Sequence, residues 1–204
     1  MTKDNTTPDE VDAVDVDATE APETPEIVAA MAADAIAGAS TEESVQPKSA
    51  PDDRAQRGPF DVSEVTGVRP YIDLGGVKIL PRADLHLRLE VEEASKRVVA
   101  VGLEYHGTTL QVQPFAAPRS AGLWHDIREQ ILEQLRKQGA KAKPSNGPFG
   151  PEIFAEIPVN QDGKQGLRLA RFVGVDGPRW FLRGVIAGPG ATDADAAKEV
   201  EELF

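Results

Sequence analysis

From Leu85 to Phe115 apolar and polar residues alternate, and this alternation limits the fold more than any other feature of the chain. The pattern holds over residues 85–91, resumes over 99–105 after a turn at Ala94-Ser95-Lys96, and resumes again over 108–115 after Gly107. A period of two residues is typical of a strand with one buried face. Short turns join antiparallel neighbours. The sequence therefore predicts a three-stranded antiparallel meander.

A helical pattern follows the meander. Polar side chains fill one face, and apolar residues recur at helical spacing on the other: Leu123, Trp124, Ile127, Ile131 and Leu135. Ser120 precedes this run and is the predicted N-cap. Gly139 is expected to end the helix.

Three further apolar runs, at residues 152–159, 167–175 and 180–186, are separated by Asp-Gly turns and predict a second set of strands. The segment Thr192–Asp195 is typical of a helix start, and the last helix would carry Val200, Leu203 and Phe204. Runs of neighbouring strands with few helices indicate an α+β fold. We expect a mostly antiparallel sheet, in the order β-β-β-α-β-β-β-α, packed by the long amphipathic helix and a C-terminal helix.

Residues 1–57 differ from the rest in charge and composition. They hold 14 of the 34 acidic residues, only 4 of the 22 basic ones, and no aromatic residue. Such a segment buries too little apolar surface to offset its ordering entropy. We therefore predict a disordered acidic arm at 1–57 and a single domain at 58–204. Residues 27–36 have helical periodicity after Thr24-Pro25-Glu26, as in either a transient alanine-rich helix or a partner-binding one.

Composition also bears on compartment and partners. The chain has no cysteine, which excludes disulfides, thiolate nucleophiles and zinc–sulfur sites. Its start lacks the features of a signal peptide, and its longest apolar run is far shorter than a membrane span. We expect a cytoplasmic protein with no membrane partner. Beyond the arm, acidic and basic residues nearly balance, which does not favour a general nucleic-acid surface.

The sequence shows no catalytic, metal-binding or cofactor-binding motif, so no catalytic residue, metal or cofactor is predicted. The three histidines are not at metal-ligand spacing with one another. His125 and Glu129 are four residues apart on the helix, which is better explained as a solvated helix face. The glycine pairs match neither a dinucleotide-binding nor a P-loop pattern.

One hairpin combines basic and aromatic residues. The segment 167–186 carries four arginines with Phe172, Trp180 and Phe181, and Arg119 precedes the long helix. The candidate anion-binding or partner-binding residues are Arg119, Arg168, Arg171, Arg179, Arg183 and Trp180. Guanidinium groups beside aromatic faces suit a phosphate, a carboxylate or stacked bases. In the alternative interpretation, which we favour, Trp180 and Leu182 pack the core, and the arginines on the other face keep the sheet soluble.

Four blocks of the sequence are similar to an uncharacterised family of high-GC Gram-positive bacteria: GPFDVSEV (58–65), LQVQPFAAPRSAGLWHDIREQI (110–131), GPFG (147–150) and RFVGVDGPRWFLRGV (171–185). The family is a domain of unknown function, often encoded near a dUTPase and a small OB-fold protein. The resemblance implies no activity, cofactor or catalytic residue. Family members continue beyond the position where this chain ends, so we expect a form that is shortened at its C-terminus.

Three functions remain open at this point. The first is a non-enzymatic protein-interaction or regulatory module that offers a sheet face, a groove or an edge to another protein. The second is a binder of an anionic ligand, a nucleotide or a nucleic acid through the arginine hairpin. The third is an enzyme that uses carboxylates such as Glu104, Glu152 and Glu156, and the sequence favours it least because nothing singles these residues out.

Overall fold

The structure is a computed structural model that describes residues 46–161 and 164–204. Most of the acidic arm, including the helical pattern at 27–36, lies outside the described residues. The glycine of the predicted turn at 161–163 lies outside them as well.

The fold is built on a seven-stranded sheet in which all pairings are antiparallel. A two-stranded ribbon, β1 (Ile72–Asp73) and β2 (Lys78–Ile79), precedes it. The sheet comprises β3 (His86–Val91), β4 (Val98–Tyr105), β5 (Thr108–Ala116), β6 (Lys141–Gly147), β7 (Gly150–Gln161), β8 (Lys164–Asp176) and β9 (Trp180–Ala187). Their spatial order is β3-β4-β5-β9-β8-β7-β6. The predicted α+β class and antiparallel sheet are confirmed.

The described residues form three α-helices: α1 (Arg54–Arg57), α2 (Trp124–Lys137) and α3 (Ala194–Glu201). A 3-10 turn, Pro189–Ala191, precedes α3. The predicted long helix matches α2, and its apolar stripe packs on one face of the sheet against Ile153, Phe172, Phe181 and Val185. We call this packing the helix core.

The opposite face of the sheet carries a second core. Val101, Leu110, Val173 and Ile186 are buried there beneath the β1–β2 ribbon and α3, whose Val200 is fully buried. The last residues of the chain join this ribbon core, since the ring of Phe204 lies 4.8 Å from that of Phe149. Because a core lies on each face of the sheet, a central strand such as β8 has buried residues on both of its faces.

The order of the elements differs from the prediction by the short helix α1, the two strands of the β1–β2 ribbon and one additional strand of the main sheet. Residues 141–147 form β6, which pairs with β7 in register from Lys141 opposite Glu156 to Gly147 opposite Gly150. The sequence of β6, KAKPSNG, has neither apolar alternation nor residues with high β-propensity. This strand therefore forms because it pairs with β7, and the local sequence does not predict it.

The N-cap predicted for the long helix was wrong. The helix begins at Trp124, and the position before it, Leu123, makes no side-chain cap. Instead, the carboxylate of Asp176 at the end of β8 accepts hydrogen bonds from the backbone N–H groups of Leu123 at 2.8 Å and Trp124 at 3.3 Å. The cap thus comes from a residue about fifty positions away in the sequence. For α3 the N-cap, Asp193, lies in the predicted segment Thr192–Asp195, but the helix ends at Glu201, so Leu203 and Phe204 follow it.

Residues 46–57 belong to the folded body, which differs from the expectation that order begins near Gly58. The Gly122 N–H donates to the carbonyl of Gln46 at 2.8 Å, and the Asp176 N–H donates to the carbonyl of Ser49 at 2.8 Å. Lys48 Nζ donates to the carbonyls of Pro118 and Pro178. These contacts use backbone groups and one ammonium group, and neither produces a pattern of apolar residues that the sequence would show.

Candidate functional site

Arg171 forms a charge cluster on the face of β8 that carries the ribbon core. It is 8% exposed, and its Nη2 lies 2.9 Å from Glu152 Oε2 and 2.7 Å from Glu201 Oε1. Burial alone would lower the pKa of Arg171, but its hydrogen bonds and charge interactions with the two carboxylates outweigh burial and raise the pKa. This cluster ties α3 to the sheet and uses Arg171 as a structural group.

Arg183 lies on the opposite face of the sheet, the face of the helix core. It is 1% exposed, donates through Nη2 to Gln113 Oε1, and lies 5.9 Å from the centroid of the Phe115 ring. Burial lowers the pKa of Arg183 to about 10, and the charge of Glu90 opposes that shift only in part. Arg171 and Arg183 therefore point to different sides of the sheet.

The remaining residues of the predicted cluster are spread further. Arg119 and Arg179 lie exposed outside the strands, and Arg168 is half-buried on β8. The indole Nε1 of Trp180 donates to Asp61 Oδ2 at 3.0 Å, and the Arg54 guanidinium lies 5.9 Å from that ring. The structure thus does not gather the six predicted residues into one site. Alternation on the strands separates them, since neighbours such as Arg168 and Arg171 differ in parity.

The contact between Trp180 and Asp61 leads to a pH-dependence prediction. The Ser63 hydroxyl and backbone N–H, and then the Trp180 indole, stabilise the charged form of Asp61 and hold its pKa below the ordinary 3.8. A carboxylate with a depressed folded pKa contributes stability above its unfolded pKa and loses it as the pH falls through the folded value. We expect the indole N–H resonance of Trp180 to shift only when the pH falls below about 3.8.

The control for this titration is internal, because the chain has only two tryptophans. Trp124 donates to the backbone carbonyl of Pro151, which does not titrate, so its indole signal should stay in place over the same range. In Asp61→Asn the Trp180 signal should not titrate either. A Trp180 signal that moves in this variant as it does in the wild type would contradict the assignment.

A groove beside Trp180 brings together a different set of basic and aromatic residues. It has a volume of about 650 Å³ and lies between the β1–β2 turn, the start of β4 and the end of β5. Its walls include Gly76, Lys96, Arg97, Phe115 and Trp180. Sequence reasoning missed Lys96 and Arg97, because they lie more than eighty residues from Trp180 and only the sheet brings them near it.

The two edges of the sheet differ in the way they meet solvent. The edge strand β6 carries Lys141, Lys143 and Pro144. Lysine and proline on an edge oppose pairing with another chain, because they add charge and remove a backbone donor. Lys141 and Lys143 are both exposed. The β6 edge is therefore protected against further pairing.

The other edge strand, β3, carries neither lysine nor proline. Leu87, Leu89 and Val91 are 37%, 44% and 47% exposed, and Val99 on neighbouring β4 is 42% exposed. Leu87 and Leu89 lie opposite Leu103 and Val101, so this apolar strip continues the ribbon core to the sheet edge. The sequence predicted a half-buried strand here; alternation does not show that the strand is at the edge, where its leucines stay accessible.

The face of β3 opposite the apolar strip carries His86, Arg88 and Glu90. Arg88 is exposed, whereas Glu90 is half-buried and accepts a hydrogen bond from Gln111 Nε2. Gly102 pairs with Arg88 on one side and with Gln111 on the other. Because it has no side chain, it leaves room for the long side chains of these two residues. The β3 edge thus presents an apolar face and a charged face on one regular strand.

The carboxylates suggested for an enzyme do not come together. Glu152 is 4% exposed and engaged with Arg171, while Glu104 lies on β4, at the other end of the sheet from β7. Within residues 46–161 and 164–204 no group of three or more histidine, aspartate or glutamate residues is arranged to hold a metal ion. His125 and Glu129 form an exposed pair 3.4 Å apart along α2. No helix in the same ranges has the length and apolarity required to cross a bilayer.

A seven-stranded antiparallel sheet with α2 on one face, α3 and a ribbon on the other, and one unprotected edge defines a mixed α+β domain. The chain belongs to the family described as Protein of unknown function (DUF3710), whose model matches residues 58–204. This match confirms the resemblance to an uncharacterised family. A search of curated proteins finds no match to the chain.

Proposed function

We propose that this protein is a non-enzymatic protein-interaction module that offers the β3 edge to a partner strand. The observation that carries the proposal is the contrast between the two sheet edges. The edge strand β6 carries Lys141, Lys143 and Pro144, whereas β3 has an exposed apolar strip and neither lysine nor proline. An edge strand presents a row of backbone N–H and C=O groups that a further strand can satisfy.

The mode of binding would be β-augmentation. Backbone hydrogen bonds supply affinity in this mode, and the side chains that alternate on the two faces supply specificity. The strip formed by Leu87, Leu89 and Val91 would bury apolar surface, which stabilises association by roughly 25 cal/mol per Å². The rest of the domain serves as a rigid support, since its buried charges are matched by groups of the same domain, as in the Arg171 cluster.

A pull-down tests this proposal by comparing the full chain with two variants, one substituted on the β3 edge and one on the β6 edge. Leu89→Lys places on β3 the residue type that already protects β6, at a position exposed enough to accept it. Lys143→Glu changes charge on the protected edge and serves as the matched control. Proteins bound by the wild type and by Lys143→Glu should be lost with Leu89→Lys. Retention of the same proteins by Leu89→Lys would contradict the proposal.

A second candidate function is anion binding in the groove lined by Lys96, Arg97 and Trp180. Two cations and an indole that line one groove suit a phosphate or a carboxylate attached to a ring. Binding of nucleotides by this groove should weaken with salt and disappear in Lys96→Glu/Arg97→Glu, whereas Arg179→Glu should leave it unchanged. Equal binding by all three proteins would argue against this function.

We also place the protein in the cytoplasm. The chain has no cysteine, whereas disulfides are common in small proteins of oxidising compartments. Localisation of a full-length fluorescent fusion in the source cell tests this placement.

A further inference from the structure

We propose that the partner strand for β3 is β3 of a second copy of this chain, so that the protein forms a symmetric dimer through its open sheet edge. The inference rests on the proposed function and identifies its partner. Two-fold symmetry requires a self-complementary surface, in which any contact from one residue to a second residue of the partner is repeated in the opposite direction. The sequence of β3, HLRLEV, meets this requirement in one register.

That register places the two-fold axis at Leu89. In an antiparallel pair the two Leu89 residues then lie opposite each other, and Leu87 of each copy lies opposite Val91 of the other. All of these side chains belong to the exposed apolar strip on the ribbon-core face. Residues paired in this way lie on the same face of the joined sheet, because partners have the same parity. The dimer would thus bring the two strips together, so that Leu87, Leu89 and Val91 of each copy contact those of the other across the new strand pair.

The opposite face supplies the charge complementarity. In the same register Arg88 of each copy lies opposite Glu90 of the other, and symmetry makes this cross-strand pair twice. Opposite charges at directly paired positions stabilise a sheet, and like charges there destabilise it. Arg88 is exposed on the free domain and able to reach across the edge.

Neighbouring registers lack this complementarity. Moving the axis to Arg88 sets two guanidinium groups opposite each other, and moving it to Glu90 sets two carboxylates opposite each other. The strand itself is regular along this edge, since the irregularity near Glu90 and Val91 is absorbed by the additional residue Val99 on β4. The charges of β3 therefore select the register centred on Leu89.

The contact is confined to one six-residue strand per copy. Interfaces of this size fall at the small end of the range for specific complexes. We expect a reversible dimer with a dissociation constant in the micromolar range, visible as a concentration-dependent mass by sedimentation equilibrium of the full chain.

The charges allow a test that a nonspecific contact would fail. Arg88→Glu alone sets glutamate opposite Glu90 twice, and Glu90→Arg alone sets arginine opposite Arg88 twice. Each should raise the dissociation constant at least about tenfold, because two attractive pairs become repulsive. A mixture of the two variants should associate as the wild type does, since every Glu then faces an Arg. The double variant Arg88→Glu/Glu90→Arg should also dimerise.

Lys143→Glu on the β6 edge is the control and should leave the dissociation constant unchanged. Thermal unfolding of each variant separates lost association from lost folding, and Leu89→Lys breaks the dimer without altering Glu90 or its bond to Gln111. The wild type remaining a monomer at all attainable concentrations, or a dimer unaffected by Arg88→Glu, would overturn the inference. If the chain is a monomer but Leu89→Lys still loses its bound proteins, the interaction module stands and only the identity of its partner is wrong.

Discussion

Trp124→Ala is expected to lower the free energy of unfolding by about 3–5 kcal/mol, the range typical of large aromatic side chains removed from a core. The indole is fully buried, its ring centroid lies 5.9 Å from that of Phe181, and its Nε1 donates to the Pro151 carbonyl at 2.6 Å. It also packs flat on Gly174, where an added Cβ would approach the ring to 2.4 Å. Alanine would leave a cavity that neither the backbone nor the rigid sheet can fill. Denaturant unfolding followed by far-ultraviolet circular dichroism measures the change.

Two further variants provide reference values for the change in the free energy of unfolding. Leu167→Ala removes an apolar side chain that is 64% exposed on β8, and its effect should stay within about 0.5 kcal/mol. Gly174→Val should approach the cost of Trp124→Ala, because it displaces the same indole from the other side. If Trp124→Ala and Leu167→Ala unfold at the same denaturant concentration, the helix core does not hold α2 as described.

Asp176→Ala is expected to cost about 3 kcal/mol, since an unsatisfied buried donor costs about 1–3 kcal/mol and the change affects several. Asp176 is 3% exposed. Its carboxylate accepts hydrogen bonds from the backbone N–H groups of Ser49, Leu123 and Trp124. It therefore joins the segment that begins at Gln46, the start of α2 and the end of β8. Its negative charge also faces the N-terminus of α2, where the helix dipole favours an anion.

Asp176→Asn and Ser120→Ala are the controls for this prediction. Asparagine keeps one acceptor oxygen at the same place and should cost about half as much as alanine. Ser120 is the residue that local pattern suggests as the N-cap, yet it lies outside the helix, so Ser120→Ala should change stability by no more than about 0.5 kcal/mol. A larger effect from Ser120→Ala than from Asp176→Ala would show that the cap is local after all.

The candidate site was less predictable from sequence than the fold. Alternation correctly located β3, including the leucines that form the apolar strip, but it does not distinguish an edge strand from a central one. The arginine-rich hairpin was correctly located as β8 and β9, yet its arginines point to both faces and one is used in the cluster with Glu152 and Glu201. Lys96 and Arg97, which line the groove beside Trp180, carry no local signal.

Periodicity specified the elements that bury an apolar face of their own: three strands from β3 to β5, the long helix α2, and the strands β7 to β9. Each reveals its period because burial of one face requires a regular spacing of apolar side chains. Position in space decided the rest. Hydrogen bonds to distant partners form three features: the strand β6, the segment 46–57 and the Asp176 cap. The order of the strands in the sheet, which decides which edge stays open, is likewise set by pairing between distant segments. Such bonds depend on which backbone groups lie close together after the chain has folded, and the local sequence does not contain that information.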